Sequence, residues 1–326
     1  MAQRNHDLTA ATAGDVLGAY LRSQATAFLR GLRLYEESGA DAADGAEAAR
    51  TLRAASRRIS GSLATFRAVT QSSWADGLRT ELVWLSSTLA DEHACASRLT
   101  RLLDALHRLS GSPDVPAPRA SSGSLTVGSA RAGALLERQL TLARTRAHSA
   151  TLQALGSSRF HAVADAVAVL ASEVPLDEVA AAGRVPDVLV PLAEQTGTRL
   201  EVAVSALPLV RAARPYNADA LVDDALQDAP WHAVRRLLRV HRYARETLGE
   251  DVTRLAAAGE ALDRHRDAAE AAAASATAAR TPRIAPATAY ALGVLHADQR
   301  HEVEAARFTF QHLWSGAAAA SSPAGV

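Results

Sequence analysis

The sequence predicts an all-α protein, on three observations. Alanine, leucine, arginine and glutamate are abundant in a chain that is 48% hydrophobic but only 4% aromatic, and these are good helix formers. Apolar residues recur at threes and fours along most of the chain, the period of a buried helical face. No stretch alternates apolar and polar residues as a half-buried strand would.

The elements follow in order. A first helix is expected over Gly14 to Glu37, with Val16, Leu17, Tyr20, Leu21, Ala27, Phe28 and Leu32 on one face. Gly39 and the polar residues Asp41 to Asp44 end it, and a second helix runs from about Gly45 to Thr70. Ser73 is the expected N-cap of a third, with Leu78, Leu82, Leu85 and Leu89 in register. A fourth carries Leu99, Leu102, Leu103 and Leu106; whether it is separate from the third is left open around Ala90 to Glu92. Residues 111–124 read as a linker, with Pro113, Pro116 and Pro118 among serines and glycines. Helices then follow over Leu125 to Leu155 and Ser158 to Ser172, a loop spans Pro175 to Pro186, and the next helix ends near Arg214. Pro230 suits the first position of a helix continuing from Trp231 to Leu248. Two more cover Asp251 to Ala278 and Pro286 to Trp314, and residues 315–326 read as a disordered tail.

Composition removes several functions. The chain of 326 residues has 35 basic and 35 acidic residues, and no lysine at all. A Walker-type phosphate loop, a pyridoxal Schiff base and a lysine general base are therefore excluded. The single cysteine, Cys95, rules out a disulfide framework and fits a reducing cytoplasm. Met1 to Asp15 has no apolar run of the kind a secretory signal carries, and no segment approaches the ~18 apolar residues of a membrane span. No His-Glu-x-x-His pair or Gly-x-Ser-x-Gly elbow occurs. His93 and Cys95 fall on different helix faces, as do the adjacent Asp91 and Glu92, so no metal site, catalytic residue or cofactor is assigned. Trp74, Trp84, Trp231 and Trp314 read as core or cap anchors, which argues against stacking on single-stranded nucleic acid.

Charge is organised on two helices. Arg50, Arg53, Arg57, Arg58 and Arg67 follow one another with no intervening acid. So do Arg235, Arg236, Arg239, Arg242 and Arg245, with His232 and His241 among them. At about 100° per residue, Arg50, Arg53 and Arg57 lie within about 60° of each other. They oppose Leu52, Ala55, Ile59, Leu63 and Phe66. His232, Arg235, Arg236, Arg239, Arg242 and Tyr243 share a face about 120° wide. An ordinary solvated face mixes signs and gains from Glu–Arg pairs at i,i+4, whereas stacked like charges cost stability unless an anion arrives. The two stripes also repeat one spacing, Arg50, Arg53, Arg57 and His232, Arg235, Arg239, each position offset by 182 residues. The proline-rich linker lies between the copies, so the chain reads as a duplicated helical unit with one basic helix per half, 14–110 and 125–314. Such a duplication can bring the basic helices together about a pseudo-two-fold axis as one groove.

These segments resemble the CHAD family, the conserved-histidine α-helical domain that binds inorganic polyphosphate. Leu52-Arg53-Ala54-Ala55-Ser56-Arg57-Arg58-Ile59 through Phe66 resembles its first signature, and His232-Ala233-Val234-Arg235-Arg236 through Arg239, Arg242 and Tyr243 its second. Trp74 to Leu85, Gly259-Glu260 with Asp263, and Tyr290 to His296 resemble further family segments, so the likeness runs over about 14–314. Departures occur: Arg50 stands where the first signature has histidine, Ser60 replaces an arginine, and Val240 and His241 interrupt the second basic run. His93-Ala94 replaces an Arg-Asp pair.

The resemblance implies two pseudo-symmetric, antiparallel four-helix-type bundles around a basic groove. It implies non-enzymatic binding of polyphosphate by Arg50, Arg53, Arg57, Arg58, His232, Arg235, Arg236, Arg239, Arg242 and Tyr243, the last through its hydroxyl. Polyphosphate granules and polyphosphate-metabolising enzymes are the implied associates. Glu246, Glu260 and Asp263 either orient arginines or are plain surface carboxylates. The alternatives are a degenerate scaffold for a protein partner and an accessory domain to a triphosphate-processing enzyme.

Overall fold

The computed structural model describes residues 11–38, 42–111, 122–214 and 225–321. Among these it is all-α, with two isolated bridges, Thr12 with Arg184 and Thr70 with Leu176, and no strand. The helices are α1 (Ala13–Glu37), α2 (Ala42–Thr65), α3 (Ser72–Ser110), α4 (Ser122–Leu155), α5 (Ser158–Ser172), α6 (Glu178–Ala182), α7 (Val185–Ser205), α8 (Leu209–Ala212), α9 (Ala225–Thr247), α10 (Thr253–Ala279) and α11 (Pro286–Ser321). A 3-10 turn, Arg67–Val69, follows α2.

Local chemistry sets the boundaries. Thr12 and Asp15 form a capping box on α1: the Thr12 hydroxyl accepts from Asp15 N–H at 3.1 Å, and the Asp15 carboxylate accepts from Thr12 N–H at 3.3 Å. This satisfies two of the amides that a helix start leaves unpaired. Ser157 and Asp177 cap α5 and α6 through the amides of Phe160 and Ala180. Helix α9 ends on Gly249 at φ +69°, a left-handed conformation that glycine adopts without a Cβ clash. There the Gly249 N–H donates to Glu246 C=O at 3.0 Å and the Glu250 N–H to Arg245 C=O at 3.1 Å. This pair of bonds is the Schellman motif.

One open point is answered and three expectations are corrected. The third and fourth helices are one, α3, since nothing around Ala90 to Glu92 breaks the ladder. Helix α7 starts at Val185 and stops at Ser205, with the short α8 after it, rather than running on to Arg214. Pro230 lies inside α9, which begins at Ala225, and not at its first position. Helix α11 passes Trp314 and continues to Ser321 through a run of alanines, the best helix former. Residues 112–121 of the expected linker and 322–326 of the expected tail lie outside the described residues.

The chain forms two compact units. The first draws on Met1–His93, Arg146–Val202 and Arg236–Val252, the second on Ala94–Thr145, Ala203–Arg235 and Thr253–Val326. The divisions fall within α3, α4, α7 and α9 and between α9 and α10. In the first unit α1 packs on α2 and α5. Its core holds Leu17, Leu21 and Phe28 of α1, Leu52, Ile59 and Leu63 of α2, Leu82 and Leu85 of α3, Val167 and Leu170 of α5, and Leu189 of α7. In the second unit α10 packs on α11, around Leu102 and Leu106 of α3, Leu136 of α4, Ala271 and Ala278 of α10, and Leu292 and Leu295 of α11.

Candidate anion-binding surface

The apolar periodicity of α2 decides where its arginines go. Leu52, Ala55, Ile59 and Leu63 are buried in the first unit's core, so Arg50, Arg53, Arg57 and Arg58 occupy the remaining arc. Ala244 of α9 and Leu248, just past its end, join the same core and leave Arg236, Arg239 and Arg242 on the other side. The first unit therefore holds the whole α2 stripe together with the 236–243 part of the α9 stripe.

The two helices meet at Gly61 and Tyr243. A Cβ built on Gly61 would stand 2.7 Å from Tyr243 Cδ2, nearer than two carbons approach. A glycine inside a helix costs about 1 kcal/mol relative to alanine, and here it admits the tyrosine ring. Tyr243 is buried. The guanidinium carbons of Arg58 and Arg242 lie 5.6 and 5.2 Å from its ring centroid, within cation–π range. What this tyrosine offers the site is a platform rather than an exposed hydroxyl.

Glu246 is the carboxylate at this junction. Its Oε2 accepts from Arg58 Nε at 2.9 Å and from the Tyr20 hydroxyl of α1 at 3.1 Å. Its Oε1 lies 3.2 Å from Arg242 Nε. Burial opposes the Arg58 charge, but the Glu246 bond and charge outweigh it and raise the guanidinium above its usual pKa. Burial first, and then the negative charge of Glu246, raise the Tyr20 hydroxyl well above the usual phenol range, so it stays a donor. Beyond this junction, Arg57 Nε is buried with no hydrogen-bond partner among the described residues. Arg236 is exposed. Arg53 and Arg239 are half-buried and make contacts within the protein. Arg50 is exposed and bonded to Glu47 one turn back.

The other two expected residues belong to the second unit. Arg235 is bonded to Asp263 of α10. Burial is the leading influence on Arg235 and lowers its pKa despite that partner. His232 sits edge-on to His265 with ring centroids 5.3 Å apart. Of the three carboxylates considered as orienting groups, Glu246 and Asp263 hold arginines, while Glu260 is exposed. His241, which interrupts the second basic run, is buried and pairs its Nδ1 with Thr196 Oγ1 at 2.8 Å. Since that hydroxyl already donates to Ala193 C=O, His241 donates to it, with its ring packed against Gly197 of α7. Ser60 is buried and donates to Arg57 C=O at 3.3 Å.

Sequence reasoning placed Tyr20 on the apolar face of the first helix and gave neither it nor Gly61 a part in the site. It also missed a buried cluster in the second unit. Asp228 receives Arg300 Nη1 at 2.7 Å and Arg307 Nη2 at 2.6 Å, with His265 Nε2 3.5 Å away. The signal was present: Arg300 and Arg307 share the face of α11 that buries Val303 and Phe310, and a charge on an apolar face requires a buried partner. Among the described residues no group of three or more His, Cys, Asp or Glu could hold a metal ion, and no helix is long and apolar enough to cross a membrane.

Comparison with known proteins identifies the family. The structure is similar to that of PptA from Streptomyces chartreusis, with a TM-score of 0.79 and 59% identity, over 94% of this chain and 100% of that one. No curated protein matches. The family model of the CHAD domain matches residues 23–276, and the chain therefore belongs to the CHAD domain family.

Proposed function

We propose that the protein binds inorganic polyphosphate, without turning it over, on the arginine face shared by α2 and the C-terminal part of α9. Family membership supports a polyphosphate-related binding role. The observation that carries the finer reading is the gathering, in one compact unit, of the α2 arginine stripe and the 236–243 part of the α9 stripe, where Glu246 pairs with Arg58 of the one and Arg242 of the other. A guanidinium keeps its charge, is weakly hydrated and can fork onto two phosphate oxygens. Arg57, with a buried Nε unused by the described residues, and exposed Arg236 are the residues most ready to do so. Arg53, Arg58, Arg239 and Arg242 extend the row. His232 and Arg235 belong to the second unit, and the 182-residue offset between stripes is read as duplication of one helical unit. A cytoplasmic location and association with polyphosphate granules or polyphosphate-metabolising enzymes accompany this reading. A duplex or single-stranded nucleic acid is not the ligand proposed.

The test is a titration with polyphosphate of several chain lengths across salt concentrations. Binding is expected to fall linearly on a log–log plot with salt, as counterion release requires. Replacing Arg57, Arg236 and Arg239 together with alanine should weaken it by about 100-fold or more, at roughly tenfold for each strong contact. Affinity surviving that change overturns the site. Phosphate released from tripolyphosphate and magnesium by the pure protein overturns the non-enzymatic part.

One observation favours a second reading, a scaffold for an acidic protein. Arg50 already has Glu47, and Ser60 is buried where the family signature has an arginine. A co-purifying acidic protein together with absent polyphosphate binding would select it.

A further inference from the structure

Glu246 occupies a place that two effects oppose. It sits in the last turn of α9, where the helix dipole is negative and an anion is disfavoured. It also stands among arginines proposed to receive a polyanion, which its charge repels. Three groups offset both effects: Tyr20 of α1 and Arg58 of α2 donate hydrogen bonds, and Arg242 of α9 itself makes an ion pair without a hydrogen bond from its Nε. Both arginines turn their Nε edge to the carboxylate. Their Nη nitrogens make no hydrogen bond among the described residues. Both guanidiniums also lie over the ring of Tyr243.

We propose that Glu246 is a positioning residue: locked by Tyr20, it holds Arg58 and Arg242 by their inner edges over Tyr243, so that their outer nitrogens stand as a preformed pair of forks for adjacent phosphates. The proposal rests on the polyphosphate reading above. A free arginine side chain must surrender its rotamer freedom when it grips a phosphate, and a carboxylate that has already fixed two of them removes that cost from binding. Electrostatics and preorganisation thus predict opposite signs for loss of the Glu246 charge. Repulsion alone says that a polyanion binds tighter without it. Preorganisation says that it binds more weakly.

Rate measurements on the full chain with immobilised polyphosphate of one length separate the two. Charge placed near a site acts mainly on association, and the quality of the bound contacts on dissociation. For Glu246→Gln the dissociation rate is expected to rise about tenfold, the scale of one lost interaction of about 1.4 kcal/mol, while the association rate stays equal or increases slightly. Tyr20→Phe leaves every charge in place and removes one bond from the lock, so its dissociation rate should rise about two- to threefold, the scale of a partial loss of one hydrogen bond. A merely structural role would lower the active fraction and leave both rates of the remaining protein unchanged. Glu246→Gln binding as tightly as wild type, or more tightly, overturns the proposal. If that variant does not fold, a Tyr20→Phe dissociation rate equal to wild type overturns it instead. Absence of binding by the wild-type protein defeats the polyphosphate reading itself, and is distinct from either result.

Discussion

Helix α9 carries a carboxylate near each end, and each one gathers two arginines. Asp228, in the first turns, holds Arg300 and Arg307, whose side chains are 0% and 10% exposed. Glu246, in the last turn, holds Arg58 and Arg242, 31% and 23% exposed. The helix dipole favours Asp228 and disfavours Glu246. Asp228 takes the terminal nitrogens of its arginines, using up the forks that a phosphate would need. Glu246 takes only Nε atoms. The same ingredients therefore make a closed clasp at one end and leave the outer guanidinium nitrogens open at the other, where the ligand is proposed to bind. What separates them is which guanidinium edge the carboxylate occupies.

The sharpest way to break this comparison is Asp228→Asn. Removing one charge from a buried cluster leaves the others uncompensated, and such losses cost about 3–5 kcal/mol. A urea or thermal unfolding experiment should show a destabilisation of that size. Glu246→Gln, at a more hydrated junction, should lose only about 1 kcal/mol. Equal costs for the two would mean that both are structural clasps.

Acid should distinguish the ends next. His265 is fully buried beside Asp228, with Arg307, Arg300 and His232 close by. Burial, reinforced by the charge of Arg307, pushes it down to about 4, against the opposing pull of Asp228. A folded-state pKa below the unfolded value means that the unfolded chain takes up the proton first. Stability is thus fully present above about pH 6.5 and falls as the pH drops towards 4, by about 1.4 kcal/mol per pH unit at most. The carboxyl of Asp228 is also held well below the usual carboxylate range by His265 and Arg300, against its own burial. Its contribution persists above the usual aspartate pKa and is lost only at more acidic pH. Unfolding curves between pH 7 and 4.5 check this, and His265→Gln should flatten the slope. An unchanged slope would place the acid sensitivity elsewhere.

The open end was the more legible in the sequence. Arginine stripes opposite apolar stripes announce themselves through helical phase, so Arg53, Arg57 and Arg239 are candidates from spacing, while Arg58 enters through the family resemblance. The closed end is made of contacts far apart in sequence. Asp228 and Arg300 are separated by 72 positions, and no periodicity links them. The parts of Tyr20 and Gly61 in the site were invisible for another reason: each matters only through a partner on a different helix, Glu246 for one and Tyr243 for the other. The long helices were plain, but their ends were not. An alanine run that permits helix and a proline inside α9 both depend on packing that propensity does not record.

The finest test compares two arginines two turns apart on α2. Arg57 has a buried Nε that the described residues leave unpartnered, so it is already desolvated and a phosphate meets little competition. Arg50 is 47% exposed and bonded to Glu47, itself 66% exposed. To reach a phosphate, Arg50 must leave that carboxylate, whose charge then repels the ligand at close range. Exposed pairs of this kind are worth at most about 1 kcal/mol, so the gain on exchange is small. Arg50→Ala should therefore change polyphosphate affinity by less than about threefold, with a salt slope shallower by under about 0.7, one contact on a single-stranded polyanion. Arg57→Ala should cost about tenfold and remove about one full contact from the slope. If the two substitutions prove equal, burial of the guanidinium edge is not what selects the binding arginines. The ligand then follows the charge of the whole α2 face rather than the open forks at its junction with α9.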